Sequence, residues 1–356
     1  DDADYVNGIV IDKDFTINGD GKSICGNDVA RIFNVTGGTL TLNNVTLCHG
    51  NASEGAGVYV GSGAALDASD VVFSENVAVD NGGAIFTDDG TITLTDCVLD
   101  SNDVTRLESS ASENRGGAAI YAKDANVTLV NTNVTNNGRS DLDRSKGDMI
   151  CAVIHLIDSD ADITGGLFEN NTGIYGGAIN AESSTINTLT VSGATFNNNK
   201  GYNGGAINLH NIETTISDSN FTDNWVVGPG SSGYYGLGGA IAADGNGTFS
   251  VTGSNFTANR ATGNGASAGA ISVGLNEGYS ATIDGCEFKE NTAVNKAGAV
   301  FIGCYDATIS NSVFSDDNVA EIGDAIYNGG NLELSGNTID STDSEIYSSG
   351  AGKVDT

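Results

Sequence analysis

The sequence predicts an all-β fold, a single right-handed parallel β-helix of about twelve coils that takes up residues 1–356 as one domain. Three observations support this prediction. Two short motifs recur along nearly the whole chain, the runs between them alternate apolar and polar residues, and the composition suits strands and turns.

The composition favours many short strands. The chain has 50 Gly, 40 Asn and a single Pro. Thr, Val and Ile alternate with polar residues in runs of three to five, and Gly, Asn and Asp separate those runs. No window combines the helical period with helix caps. We therefore expect strands and tight turns throughout.

The first repeated motif is Gly-Gly-Ala-Ile (GGAI), as at 82–85. The glycines permit a corner with positive φ, the alanine is small enough to face inward there, and the Ile or Val fills the core. A period of 20 to 35 residues predicts a solenoid rather than independent domains. The aligned apolar residues are Ile9, Ile32, Val58, Ile85, Ile120, Ile154, Ile179, Ile207, Ile241, Ile271, Val300, Ile326 and Ile346.

The second motif is Phe-x-x-Asn (FxxN), in which Leu or Val sometimes replaces Phe. We expect its rings to stack from coil to coil, at a spacing of about 4.8 Å. We expect its asparagine to sit in a turn near the left-handed region and to hydrogen-bond along the stack. Both motifs are therefore interpreted as architecture rather than as chemistry. The head residues are Leu47, Phe73, Leu99, Val134, Phe168, Phe196, Phe221, Phe256, Phe288 and Phe314.

The charge and the chemistry-bearing residues argue against several function classes. A net charge of −32 opposes binding to nucleic acid, which needs a basic face. No apolar run reaches 18 residues, so we expect no membrane span in this chain. The three His and six Cys show no ligand spacing, so we expect no metal site and no cofactor.

The paired GGAI and FxxN repeats resemble the passenger regions of the chlamydial polymorphic outer-membrane proteins. The segment 9–52, IVIDKDFTINGDGKSICGNDVARIFNVTGGTLTLNNVTLCHGNA, is more similar still to adhesin-like β-helix proteins of methanogenic archaea. Both resemblances imply an extracellular, surface-exposed β-helix with a role in adhesion. They carry no catalytic residue onto this chain, because the shared residues are those that build coils.

Departures from the repeat indicate where a ligand could bind. The link from an FxxN asparagine to the next GGAI is longest at 103–115, 138–148, 225–237 and 260–267. These links occupy the same corner of the coil, so we expect them to project from one side of the rod as loops.

The contents of three of these links predict a binding surface for a cell-surface glycan or protein. Two links are rich in basic residues, and the third combines aromatic residues with Gly and Ser. The alternative is that the loops pack on each other or form local salt bridges. The candidate binding residues are Arg106, Arg139, Arg144, Trp225, Tyr234 and Tyr235.

Two other functions remain open on the sequence. Bare coil ends would expose strand edges, which favours docking of coils into a homopolymer such as a surface filament or sheath. Many β-helix proteins cleave acidic polysaccharides, but the carboxylates here are scattered and form no recurrent pair of the kind a glycosidase needs. We therefore expect a protein that is not an enzyme.

Cys25 and Cys48 follow the equivalent apolar residues Ile24 and Leu47 and lie one coil apart. They should stack within disulfide reach, which predicts a disulfide and an oxidising, extracellular setting. Cys97 and Cys286 fall in a column of small inward residues, so we expect buried thiols.

Glycosylation sequons (Asn-x-Ser/Thr) are only slightly more numerous than the composition gives by chance, so their number is not evidence of glycosylation. Asn220 and Asn255 directly precede inward Phe residues, so their side chains should point outward and be accessible. The candidate acceptors are Asn34, Asn44, Asn126, Asn133, Asn220 and Asn255.

Overall fold

The computed structural model describes residues 6–105, 115–139, 152–228, 236–340, 345–349 and 353–355. Across these ranges every regular element is a β-strand and no helix occurs. The chain divides into two compact units, Asp1–Ile174 and Tyr175–Thr356.

Strands of the first unit are short, mostly three to five residues long, apart from the longer β2 and β4. They are β1 (Ile9–Ile11), β2 (Phe15–Cys25), β3 (Phe33–Val35), β4 (Thr39–Cys48), β5 (Asn51–Glu54), β6 (Val58–Val60), β7 (Ala65–Ser69), β8 (Val72–Ser74), β9 (Val77–Asn81), β10 (Ile85–Asp88), β11 (Thr91–Thr95), β12 (Val98–Asp100), β13 (Asp103–Val104), β14 (Ile120–Lys123), β15 (Asn126–Val130), β16 (Asn133–Thr135), β17 (Ile154–Ile157), β18 (Asp160–Thr164) and β19 (Leu167–Glu169).

Strands of the second unit follow the same order within each coil. They are β20 (Ile179–Ser192), β21 (Thr195–Asn197), β22 (Lys200–Gly201), β23 (Ile207–Ser217), β24 (Asn220–Thr222), β25 (Trp225–Val227), β26 (Ile241–Gly245), β27 (Phe249–Thr252), β28 (Asn255–Thr257), β29 (Arg260–Thr262), β30 (Ile271–Leu275), β31 (Ala281–Asp284), β32 (Glu287–Lys289), β33 (Thr292–Ala293), β34 (Val300–Ile302), β35 (Ala307–Ser310), β36 (Val313–Phe314), β37 (Ile326–Asn328), β38 (Asn331–Ser335), β39 (Thr338–Ile339), β40 (Ile346–Ser348) and β41 (Lys353–Asp355).

Parallel pairing between equivalent strands of successive coils confirms the predicted parallel β-helix. In the first unit the GGAI strands pair in the order β1–β3–β6–β10–β14–β17. The FxxN strands pair as β4–β8–β12–β16–β19, and the links between the motifs pair as β5–β9–β13. We call such a set of paired link strands the link row of its unit. The handedness and the number of coils stay predictions.

The GGAI motif builds the corner that the sequence predicts. Gly82 has φ of 63°, a conformation that strains any residue with a Cβ. A Cβ on Gly83 would lie 2.1 Å from the carbonyl oxygen of Ala118 in the next coil. The next apolar residue, Ile85, is fully buried and pairs in register with Ile120 of the next coil. Coil stacking therefore requires both glycines.

The FxxN asparagines form a buried ladder along the stack, as predicted. Asn102 donates from Nδ2 to Asn137 Oδ1 at 3.0 Å and to the carbonyl oxygen of Phe73 at 2.9 Å. The expected left-handed backbone is found one residue earlier, at Ser101 with φ of 57°. The prediction that the asparagine itself occupies this region is wrong, because its own N–H must point at Asn137 Oδ1, 2.9 Å away.

The predicted aromatic column is continuous in the second unit. Its five rings stack with centroid separations of 4.8, 4.8, 5.0 and 4.6 Å and interplanar angles below 10°. The spacing is that of the coils themselves, so parallel register alone places each ring over the next. The rings belong to Phe196, Phe221, Phe256, Phe288 and Phe314.

Candidate ligand-binding surface

The link row of the second unit is a parallel sheet of β22, β25, β29 and β33. The sequence treats 225–237 and 260–267 as loops, but both links begin as strands. The links begin as strands because successive side chains alternate between inward and outward positions. The inward ones, Val226 and Ala261, are buried with Ala266 and Ala293 in a small cluster. The first residue of each link strand therefore points outward.

Three of these outward residues place two cations beside an aromatic ring. Trp225 lies in register between Lys200 and Arg260, and all three side chains are half-buried. Lys200 Nζ lies 5.3 Å from the centroid of the Trp225 ring, within cation–π range. Arg260 Nη1 lies 3.3 Å from Asp223 Oδ1. We call Lys200, Trp225 and Arg260 the cation–aromatic column.

The cation–aromatic column contrasts with the strongly acidic composition of the chain. It groups the only Trp with two of the 14 basic residues. An indole offers an apolar face and one N–H donor, and a guanidinium offers planar donors suited to carboxylates. Such a set can stack on a sugar ring or a peptide side chain and pair with a negative charge.

The other predicted binding residues are not brought to this column by any described contact. Arg106, Arg144, Tyr234 and Tyr235 lie outside the described residues. Arg139, in the first unit, is half-buried. For all six candidate residues, Trp225 included, a binding role stays a prediction.

Cys25 and Cys48 are register partners in β2 and β4, with Cα atoms 4.5 Å apart, and their sulfurs are bonded. Their position joins two successive coils, as expected from their spacing. The following residue, His49, lies between two carboxylates, 3.3 Å from Asp28 and 3.8 Å from Glu75.

Cys97 and Cys286 are buried free thiols. Burial raises the pKa of each thiol to about 11, against weaker opposing backbone hydrogen bonds. Their column also contains serines whose hydroxyl oxygens accept along the stack; for example, the backbone N–H of Cys286 donates to Ser312 Oγ at 3.1 Å. The column is thus structural, and thiols there stay protonated at neutral pH.

The sequon asparagines differ in exposure. Asn220 and Asn255 are exposed register partners, and Asn255 Nδ2 donates to Asn220 Oδ1 at 3.0 Å. Asn44 and Asn126 are also exposed. The two half-buried candidates are Asn34 and Asn133. Accessibility therefore favours the first four as acceptors, and glycosylation itself stays a prediction.

Two outward carboxylates are held in hydrogen bonds from the next coil. Burial alone would raise the pKa of Asp100, but donors on Thr135, Asn136 and Ser101 outweigh it and lower the pKa. Hydrogen bonds from Ser310 and Asn311 lower the pKa of Asp284. Carboxylates of this kind are stabilised in the charged form.

A set of aromatic residues that the sequence motifs do not single out lies on the outer side of the GGAI strands. In the first unit Tyr59, Phe86 and Tyr121 stack at 5.1 and 5.2 Å, and Arg31 lies 4.9 Å from the Tyr59 centroid. The signal was present, since an aromatic residue directly follows the inward Val or Ile in each of these strands.

A family model for the Chlamydia polymorphic membrane protein repeat matches residues 70–88. The match runs from the FxxN strand β8 through β9 to the GGAI strand β10. It supports the resemblance to a repeat of surface membrane proteins and covers residues that build a coil. No curated protein and no solved structure matches the chain.

Within the described ranges, no group of three or more His, Cys, Asp or Glu side chains is arranged to hold a metal ion. The same residues include no helix that is long and apolar enough to cross a membrane.

Proposed function

We propose that this chain is a surface-exposed, adhesin-like protein that binds a glycan or protein of a host or partner cell without catalysis. The main observation in support of this proposal is the cation–aromatic column on the outer side of the link row. Aromatic and basic side chains are the types enriched in protein and ligand recognition, and here the only Trp and two basic residues are neighbours on one row of an acidic chain. The surface-protein repeat supports the extracellular location.

The lowered pKa values of Asp100 and Asp284 make these two carboxylates unsuited to act as the acid of a glycosidase. A glycosidase acid must keep its proton near neutral pH, which requires a raised pKa. These two carboxylates are held in the opposite state by donors from the neighbouring coil.

The test is binding of the purified chain to cells and to a glycan array. Replacing Trp225, Tyr234 and Tyr235 by Ala should abolish binding while circular dichroism stays unchanged. The matched control is Tyr305→Ala, because Tyr305 is an aromatic residue that is 62% exposed and lies outside the link row. Undiminished binding by the triple variant would place the ligand site elsewhere.

A second candidate function is assembly of coils end to end. In β1 and β2, the inward residues Ile9 and Phe15 are 43% and 49% exposed, because these strands have a partner on only one side among the described residues. Another coil placed against them, from a longer form of this chain or from a second copy, would bury both. Growth of the particle mass with concentration in light scattering would favour a filament, and a constant mass near 36.1 kDa would favour the adhesin.

A further inference from the structure

A second outer aromatic stack lies on the GGAI strands of the second unit. Phe301, Tyr327 and Tyr347 are register partners in β34, β37 and β40. Their ring centroids are 5.1 and 5.2 Å apart, and the planes of the first pair differ by only 2°. Each ring therefore presents one face to the coil before it and one to the coil after it.

The stack ends at Phe301. The register partner of Phe301 in the preceding coil is Ser272, and the partner of Ser272 in the coil before is Ala242. Neither residue carries a ring. Among the described residues, no ring stacks on the face of Phe301 opposite Tyr327, although the parallel register continues.

A cavity of about 340 Å³ adjoins Phe301. Its volume falls within the range of about 300–1,000 Å³ typical of small-molecule sites. It combines an aromatic wall with a few polar groups, the composition such sites show. The lining residues are Leu237, Gly265, Ser267, Asn295, Lys296 and Phe301.

The polar groups of this cavity suit an acidic ligand that carries hydroxyls. Lys296 lines the cavity and supplies a cation, and its Nζ lies 4.4 Å from the centroid of the Tyr327 ring in the next coil. Ser267 Oγ donates to the carbonyl oxygen of Gly265 at 3.3 Å, so its lone pairs remain as acceptors for a ligand hydroxyl. The Asn295 side chain can both donate and accept.

We infer that this cavity binds a pyranose ring that carries a carboxylate. The apolar face of the sugar would stack on Phe301 and continue the series of rings at the coil spacing. The carboxylate would pair with Lys296, and the hydroxyls would bond to Ser267 and Asn295. This inference does not rest on the cation–aromatic column, which belongs to the link row.

The experiment is ligand-observed NMR titration of the full chain with glucuronate, and with glucose as the neutral comparison. The wild type should bind glucuronate more tightly than glucose. Phe301→Leu should weaken binding of both sugars about tenfold or more, because it removes the stacking surface. Lys296→Gln should weaken glucuronate alone and remove the preference. Lys289→Gln, which changes a lysine paired with Glu290, should leave binding unchanged.

A substitution that adds a ring at the proposed sugar position tests the inference independently. Ser272→Phe should place a ring where the sugar is expected and abolish binding while far-ultraviolet circular dichroism is retained. Absence of glucuronate binding to the wild type would overturn the inference. Equal binding of glucose and glucuronate, or unchanged affinity in both Phe301→Leu and Lys296→Gln, would overturn it as well.

Discussion

The two units fill the same inward position in different ways. In the second unit the head of every described FxxN strand from β21 to β36 is Phe, and the rings stack without interruption. In the first unit Phe73 has register partners Leu47 and Leu99, and the column continues with Val134 and Phe168. All five of these side chains are fully buried.

This difference separates what the fold requires from what it tolerates. Both units keep the buried asparagine ladder, with Asn102 bonded to Asn137 in the first and Asn224 bonded to Asn259 in the second. Phe, Leu and Val all occupy the inward position, whereas an asparagine bonds to the buried backbone groups in both units. We therefore expect the ladder to contribute equally in both units, and ring stacking to contribute more from Phe196 to Phe314 than around Phe73.

The largest expected effect is loss of the ladder. Asn224→Ala removes the acceptor of the Asn199 backbone N–H and the donor to the Phe196 carbonyl oxygen. Two buried groups without partners should lower the free energy of unfolding by about 2–6 kcal/mol. Asn102→Ala should cost a similar amount in the first unit, as measured by urea unfolding.

The control for this prediction is Asn255→Ala, at an exposed asparagine, which should change the unfolding free energy by no more than about 0.5 kcal/mol. A ladder variant with a loss as small as the control would show that the buried amides are satisfied in another way.

A smaller effect should distinguish the two columns. Phe221→Leu breaks two stacked ring pairs, each at 4.8 Å, and should cost about 1–3 kcal/mol. Phe73→Leu has no ring partner to lose at its register positions and should cost less than about 1.5 kcal/mol. The same unfolding assay compares them, and equal losses would mean that stacking adds nothing beyond burial.

The acid limb of the stability curve should depend on Asp100 and Asp284. Their pKa values are lowered in the folded state, so their contribution is complete above the unfolded value of about 3.9. It disappears as the pH falls through the lower, folded pKa. In each of Asp100→Asn and Asp284→Asn, the unfolding temperature should fall less steeply with decreasing pH below about pH 4 than in the wild type. A steeper acid limb would contradict this.

The smallest expected effect is at the buried thiols. Because burial raises the pKa of Cys97 and Cys286 to about 11, neither should react with iodoacetamide at pH 8 in the native chain. Both should be alkylated after denaturation, as mass spectrometry of the peptides can show. Rapid native labelling would mean that the column opens.

The repeated motifs made most of the fold predictable, whereas the candidate sites were only partly so. GGAI and FxxN mark the corner, the inward apolar residue and the ladder asparagine in each coil, and the structure agrees on these roles. Trp225 stands out in the sequence as the only tryptophan, but the sequence predicts a loop at this position. Its strand was missed because two or three residues are too short for a period to be seen.

The sequence by itself determined the coil, because the residues that turn it, fill it and bond along it recur with every repeat. Only the tertiary structure decided which outward residues are neighbours. Lys200, Trp225 and Arg260 stand at unequal intervals along the chain, as do Ser272, Phe301 and Tyr327. Parallel register brings them together across links of different length, and it alone shows that one stack of rings ends beside a cavity.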